Sequence, residues 1–239
     1  IEDIARSVGL WPLDTPTFDL LRDRTDGNPL FVRELAKLVA SRGPRQALMS
    51  VPVGVREVLL RRIDRLPPET ASMLRLAAVC GRYADIDLLV ALWPGDTDTD
   101  TEDVVLDAID SAVVAGLLTT TVDRIRFNHV LVRDAAYDAI PALRRRRIHW
   151  QTMQILRSRP HHDPDEIAHH AWLCAGTTTA VEALTVVEPA AQQRFATAFK
   201  GDSLTLWRAS VELHRMAGHD HPTADAADRI ALIDPGPSS

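Results

Sequence analysis

Between Leu117 and Asn128 the spacing of apolar residues changes from a helical period to a strand period, and then changes back. "LLTTT" and "RIRFN" are β-favouring runs, joined at Val122 and Asp123, in which Ile125 and Phe127 alternate with Arg124 and Arg126. This pattern predicts a two-stranded ribbon. So small a sheet cannot hold itself together in water and must lie on helices. The preceding chain supplies them. Val55, Val58, Leu59, Ile63 and Leu66 trace one helical stripe, "LPPE" ends it, and Met73, Leu74, Ala77 and Ala78 form the next. A short third helix is predicted from Asp85 to Trp93 and an acidic loop at "PGDTDTDTED". A fourth element carries Val105, Ala108, Ile109, Ala112 and Leu117 and ends at Gly116. Helices followed by a small hairpin are the sequence signature of a winged helix.

Both flanks read as helical. Before residue 51, helical spacing is predicted over Glu2 to Val8, Thr17 to Arg24 and Pro29 to Ser41, interrupted by "WPLDTP" and "SRGPRQALMSVP". Within this stretch "RTDGNPLFVREL" sets a Gly-Asn-Pro corner before Phe31, Leu35, Leu38 and Val39. Asn28 is suited to cap the first amides and Pro29 to the first helical position, where no amide hydrogen is needed. From His129 onward come "HVLVRDAAYDAI", "PALRRRRIHWQTMQILRSR", and segments starting near Pro164, Thr179, Ala191 and Asp202. The later segments are Ala-rich and suit a helical-pair array, without a recurring period. "IDPGPSS" reads as a tail. The expected protein is mainly α: a helical unit at 1–50, a winged-helix domain at 51–140, a helical, repeat-like array at 141–233 and a tail at 234–239.

Composition restricts the chemistry. There is no G-x-x-x-x-G-K-[ST], G-x-G-x-x-G or G-x-S-x-G, so no phosphate cradle or nucleophile elbow is expected and the chain is not expected to be an ATPase by itself; no catalytic residue is assigned. The formal net charge of −6 disfavours a surface built for nucleic acid. The fourth element reinforces this, since it holds Glu102, Asp103, Asp107 and Asp110 and neither Lys nor Arg. In "RPHHDPDEIAHHAW", adjacent histidines point about 100° apart on a helix and the H-E-x-x-H spacing is missing, so a solvated helix is expected there and no metal. Arg144 to Arg147 spread around a whole helix turn, which suits a solvated helix start. Cys80 and Cys174 stand far apart in apolar contexts, no apolar run approaches a spanning length, and "IEDIARSVGL" is an amphipathic helix, so a cytoplasmic protein without a membrane partner is expected. The first residue is not Met, and a piece of a larger protein is expected. In "RFNHVLVRDAAY", His129 follows the hairpin and opens a helix that Asn128 is placed to cap, at a position where amides and the helix dipole favour an anion.

The order "GNPLFVREL", "VPVGVREVLLRRIDRLPPE", "RFNHVLVRDAAY" resembles the C-terminal half of the nucleotide-binding module of STAND ATPases, which are related to the AAA+ proteins. It looks closest to the large actinobacterial transcriptional regulators of LuxR and antibiotic-regulatory type. The likeness covers about Arg24 to Gly176. It implies that residues 1–50 are a helical lid, with Gly27 and Pro29 packing against the nucleotide base, and that His129 reaches the β-phosphate of ADP. Only the His of the related Met-His-Asp motif is matched, since Asn128 and Val130 flank it. The resemblance further implies ADP or ATP as the ligand, with Mg²⁺ in the intact protein. It also implies a P-loop core before residue 1, an unidentified inducer, self-association on activation, and DNA contact only through other domains. Two rival expectations are a helical scaffold or sensor fused to a cyclase or kinase, and a winged helix that reads DNA directly.

Overall fold

The computed structural model describes residues 1–25, 27–44, 52–94, 99–160, 163–176, 179–196, 200–219 and 230. The tail 234–239, His161 and His162, and residues 95–98 of the acidic loop lie outside them. The described residues are mainly helical, with a three-stranded antiparallel sheet. The chain divides into two compact units, Ile1–Pro141 and Ala142–Ser239.

The first unit opens with α1 (Glu2–Ser7), α2 (Thr15–Thr25) and α3 (Pro29–Arg42). Asp14 Oδ1 accepts from the Thr17 amide at 3.0 Å where α2 begins, and its hydrogen bonds to Thr17 hold its carboxyl below the usual range. Ala5, Leu21, Leu35, Ala36 and Val39 form a small core. Phe31, on the same helix, leaves that cluster and enters a second, larger core.

The second core gathers α4 (Val53–Ile63), α5 (Pro68–Cys80), β1 (Tyr83–Asp85), α6 (Ile86–Leu92), α7 (Thr99–Val114), β2 (Leu118–Thr120), β3 (Arg124–Phe127) and α8 (Val130–Asp138). The predicted ribbon is β2 with β3, Leu118 opposite Phe127 and Thr120 opposite Ile125. Ile125 and Phe127 are buried and Arg124 and Arg126 exposed, so the alternation sets which face meets the helices. β1 is a third strand that the sequence reading did not foresee: Ala84 pairs with Ile125 on the other side of β3. Tyr-Ala-Asp is too short to carry a period, and its pairing depends on a partner about forty residues away.

Two further differences have local causes. Val58 is 44% exposed, because three residues from Val55 carries it to the edge of the stripe that Val55, Leu59 and Ile63 bury. α7 begins at Thr99, so Thr99 to Asp103 are helical and not loop: acidic side chains at a helix N-terminus favour the dipole. At its other end α7 stops on Gly116, whose φ of +68° only glycine adopts without strain, with the Gly116 amide donating to Val113 O (2.8 Å) and that of Leu117 to Ala112 O (3.0 Å). Arg62 Nη2 donates to Ala115 O at the same end.

The second unit is a run of helices, α9 (Ala142–Ser158), α10 (Pro164–Cys174), α11 (Ala180–Ala196) and α12 (Lys200–Met216), each packed on the next. The break expected at Ala191 is absent: α11 runs through it, with Pro189 in its interior. Packing overrides the helix-breaking tendency of proline here, because Val187, Ala190 and Ala191 on the same helix are buried. Arg146 departs from the solvated helix start expected of its run. Its guanidinium donates to the carbonyls of Cys174 (3.4 Å) and Ala175 (2.7 Å), closing the C-terminal end of α10. It occupies the space that a side chain at Gly176 would fill. Burial pushes the Cys174 thiol up to about 11.

Candidate functional site

The corner between α2 and α3 is built by short-range bonds. Thr25 Oγ1 donates to Leu21 O (2.6 Å) and accepts from the Gly27 amide (3.2 Å), and the Asn28 amide donates to Thr25 O (2.9 Å). Gly27 takes φ +74°, and Asn28 Oδ1 accepts from the amides of Leu30 (3.1 Å) and Phe31 (3.4 Å), with Pro29 at the first helical position. With those amides engaged, Gly27, Pro29 and Leu30 are left on the surface while Phe31 turns inward at 5% exposure.

His129 stands at the start of α8, half-buried, with extended backbone. Asn128 does not cap that helix, contrary to expectation. Its Nδ2 donates to Gly116 O (3.0 Å) and Leu118 O (3.3 Å), and its amide donates to Leu117 O (3.0 Å), so it closes the base of the hairpin. Two side-chain bonds at the hairpin base outcompete one cap. His129 therefore takes the N-cap position itself, and no side-chain oxygen caps α8.

The two predicted pieces meet through a residue the sequence reading did not single out. The Phe31 and His129 rings lie edge to face, centroids 5.7 Å apart with an interplanar angle of 86°. Gly27 and Pro29 are thus connected to His129 across about one hundred residues of chain by the first inward side chain after the corner. A second tie lies alongside: Arg24 Nη2 donates to Asp134 Oδ2 at 2.7 Å, with both side chains less than one-fifth exposed. Arg133 Nη1 donates to the other Asp134 oxygen at 3.2 Å, its Nε donates to Ala78 O at 2.8 Å, and its guanidinium lies 4.7 Å from the Tyr137 ring. One carboxylate thus lies between two guanidinium groups. Arg24 and Asp134 are separated by 110 positions, and no local pattern announces such a pair.

The second unit has a cavity of about 350 Å³, lined by Val181, Leu184, Thr185, Glu188, Pro189, Gln192 and His219. Glu188 Oε1 there accepts from Ser210 Oγ (2.8 Å) and meets His214 Nε2 (2.9 Å), while His214 Nδ1 lies 2.9 Å from His219 Nδ1. None of the residues singled out in the sequence lines it. Gly27, Pro29 and His129 belong to the first unit and this cavity to the second.

No described helix is long and apolar enough to cross a membrane. Comparison with known protein families, with curated proteins and with solved structures finds no match.

Proposed function

We propose that this chain is the regulatory part of a STAND-type nucleotide switch in a transcriptional regulator, coupling the ADP or ATP state to assembly. Residues 1–50 act as the lid, 51–140 as a winged helix and 141–233 as the start of a sensor array. The observation that carries this reading is the Phe31–His129 contact, which joins the corner assigned to the base and the histidine assigned to the β-phosphate. Three features support it. From α5 to β3 the order is helix, strand, helix, helix, strand, strand, with β3 central, the arrangement a winged helix needs. The N-terminus of α8 has no side-chain cap, so its amides and dipole favour an anion beside His129. α7, the element that would enter a DNA groove, carries Asp100, Glu102, Asp103, Asp107 and Asp110 and no Lys or Arg, which favours protein packing over direct DNA reading.

The test is His129→Ala in the intact protein, with ADP dissociation and melting temperature measured side by side. A charge-assisted hydrogen bond to phosphate contributes on the order of 1.5–3 kcal/mol, so ADP retention should weaken by roughly 10–150-fold and basal activity should rise without inducer. Phe31→Leu serves as control, since it removes the ring contact and keeps the imidazole. Unchanged ADP affinity with a lowered melting temperature in His129→Ala makes the residue purely structural and ends the proposal.

A further inference from the structure

The histidine-rich segment of α10 has a partner that its own sequence does not contain. His170, fully buried, and His149 of α9, 1% exposed, face each other with Nδ1 to Nδ1 at 2.7 Å and ring centroids 5.0 Å apart. His169 is exposed, and its ring lies edge-on to both, at 6.3 Å from His149 and 5.5 Å from His170. Thr152, buried one turn after His149, donates its hydroxyl to Ile148 O at 2.9 Å.

A hydrogen bond between two imidazole Nδ1 atoms needs one N–H and one lone pair. With both rings neutral, one carries its proton on Nδ1 and the other on Nε2, and the bond is intact. With one added proton, a single imidazolium donates to the neutral partner, and the bond is intact and charge-assisted. With two added protons, both Nδ1 atoms carry hydrogen, the bond is lost, and two buried cations face each other. The folded pair therefore accepts at most one of the two protons that the same residues take up in the unfolded chain.

We propose that the His149–His170 pair is a proton-sensitive clasp between α9 and α10, which holds the second unit closed near neutral pH and releases it on acidification. The surrounding ionisable groups bear on this. On α9, Arg145 and Arg146 lie one turn before His149, and Arg146 is held on the α10 carbonyls as a fixed positive charge. On α10, Glu166 lies one turn before His170 and Cys174 one turn after, and the Cys174 thiol stays neutral at these pH values. Glu166 is the acid on α10 nearest to His170 in sequence. Protonation of exposed His169 adds a further positive charge against the second added proton. On α11, packed against α10, Glu182 accepts from Gln154 and Arg157, Arg194 pairs with Asp165, and Glu188 pairs with Ser210 and His214 of α12. These acids have partners away from the pair.

The sign follows from proton counting. Unfolded histidines titrate near pH 6.5, so well below that value the unfolded chain carries two protons on these residues against at most one on the closed clasp, and stability falls as pH falls. A one-proton deficit raises the opening equilibrium by up to tenfold per pH unit below about pH 6.

The experiment is amide hydrogen exchange on the full 239-residue chain from pH 7.5 to 5, corrected for the intrinsic pH dependence of exchange, with long-range proton–nitrogen NMR of the imidazoles. Protection in α9 and α10 should fall by up to tenfold per unit below about pH 6, while α5 and α7 keep theirs. Above pH 7 the two rings should be opposite tautomers. The variant His149→Leu/His170→Leu should lose the pH dependence. Should it fail to fold, the tautomers and exchange of the unsubstituted chain decide alone. Identical tautomers, protection in α9 and α10 that stays flat to pH 5, or a pH dependence that persists in the double variant would each overturn the clasp.

Discussion

In the first unit every polar side chain buried among the described residues is a threonine, at positions 17, 25, 70 and 101, whereas the second unit buries His149, His170 and His214 together with Thr152 and Ser210. A threonine hydroxyl is satisfied by its own helix, as Thr25 is by Leu21 O, so it adds no constraint from elsewhere in the fold. An imidazole is not satisfied so locally, and His149 meets His170 across two helices while His214 meets Glu188. The first unit is specified by shape, with Phe127, Leu74, Leu89 and Ile125 filling one interior. The second is an alanine-rich array in which buried titratable pairs join neighbouring helices. The lesson is that two helical units of one chain can respond differently to the same change of solvent: acid should act on the second and leave the first largely unchanged.

The strongest challenge to that contrast is Phe127→Ala. Its ring is fully buried where β3 meets the helices, and truncation should cost about 3–5 kcal/mol by transfer and cavity terms. Denaturant unfolding followed by hydrogen exchange should place the loss in residues 1–141 alone. Equal loss in α9 to α12 would mean that the two units unfold as one. Arg24→Ala is expected next, at roughly 1.5–3 kcal/mol, because it leaves Asp134 partly buried with one of its two guanidinium partners. A double-mutant cycle with Asp134→Asn isolates the pair, and a coupling near zero would reduce this tie to a surface contact. Asn28→Ala removes the α3 cap and should cost about 1 kcal/mol, read as a lowered melting temperature of the first unit; Asn28→Ser should restore most of it. The smallest effect is chemical. With its thiol at about 11, Cys174 is about one part in a thousand ionised at pH 8, so an alkylating reagent should label Cys80 well before it. Faster labelling of Cys174 at pH 5.5 than at pH 7.5, after allowing for thiolate fraction, would report opening of the second unit by an independent probe.

What was legible in the sequence was what local period determines. Ile125 and Phe127 announce β3, and Met73, Leu74, Ala77 and Ala78 announce the buried face of α5, because burial on one face repeats along the chain. The Gly-Asn-Pro corner was legible for the same reason: its bonds close within four residues. What escaped depends on distant partners. β1 exists because β3 offers an edge, and Asn128 abandons α8 because the hairpin base offers two carbonyls. Phe31 read as one member of a helical stripe, and only the packing of α3 on the second core turns it toward His129. The segment start expected near Ala191 failed because α11 continues through Pro189 and beyond, and tertiary compensation for a helix breaker is not visible in a sequence.

Arg146 at Gly176 carries a consequence for how such a chain drifts over generations. Because the guanidinium occupies the volume that any side chain at 176 would claim, a substitution there displaces the arginine tip. A relative that acquires alanine or serine at 176 must release the arginine from the α10 carbonyls, after which nothing selects for arginine at 146 over the other members of its basic run. The expected record in descendants is covariation: glycine at 176 wherever arginine stands at 146, and a shorter or differently capped α10 wherever it does not.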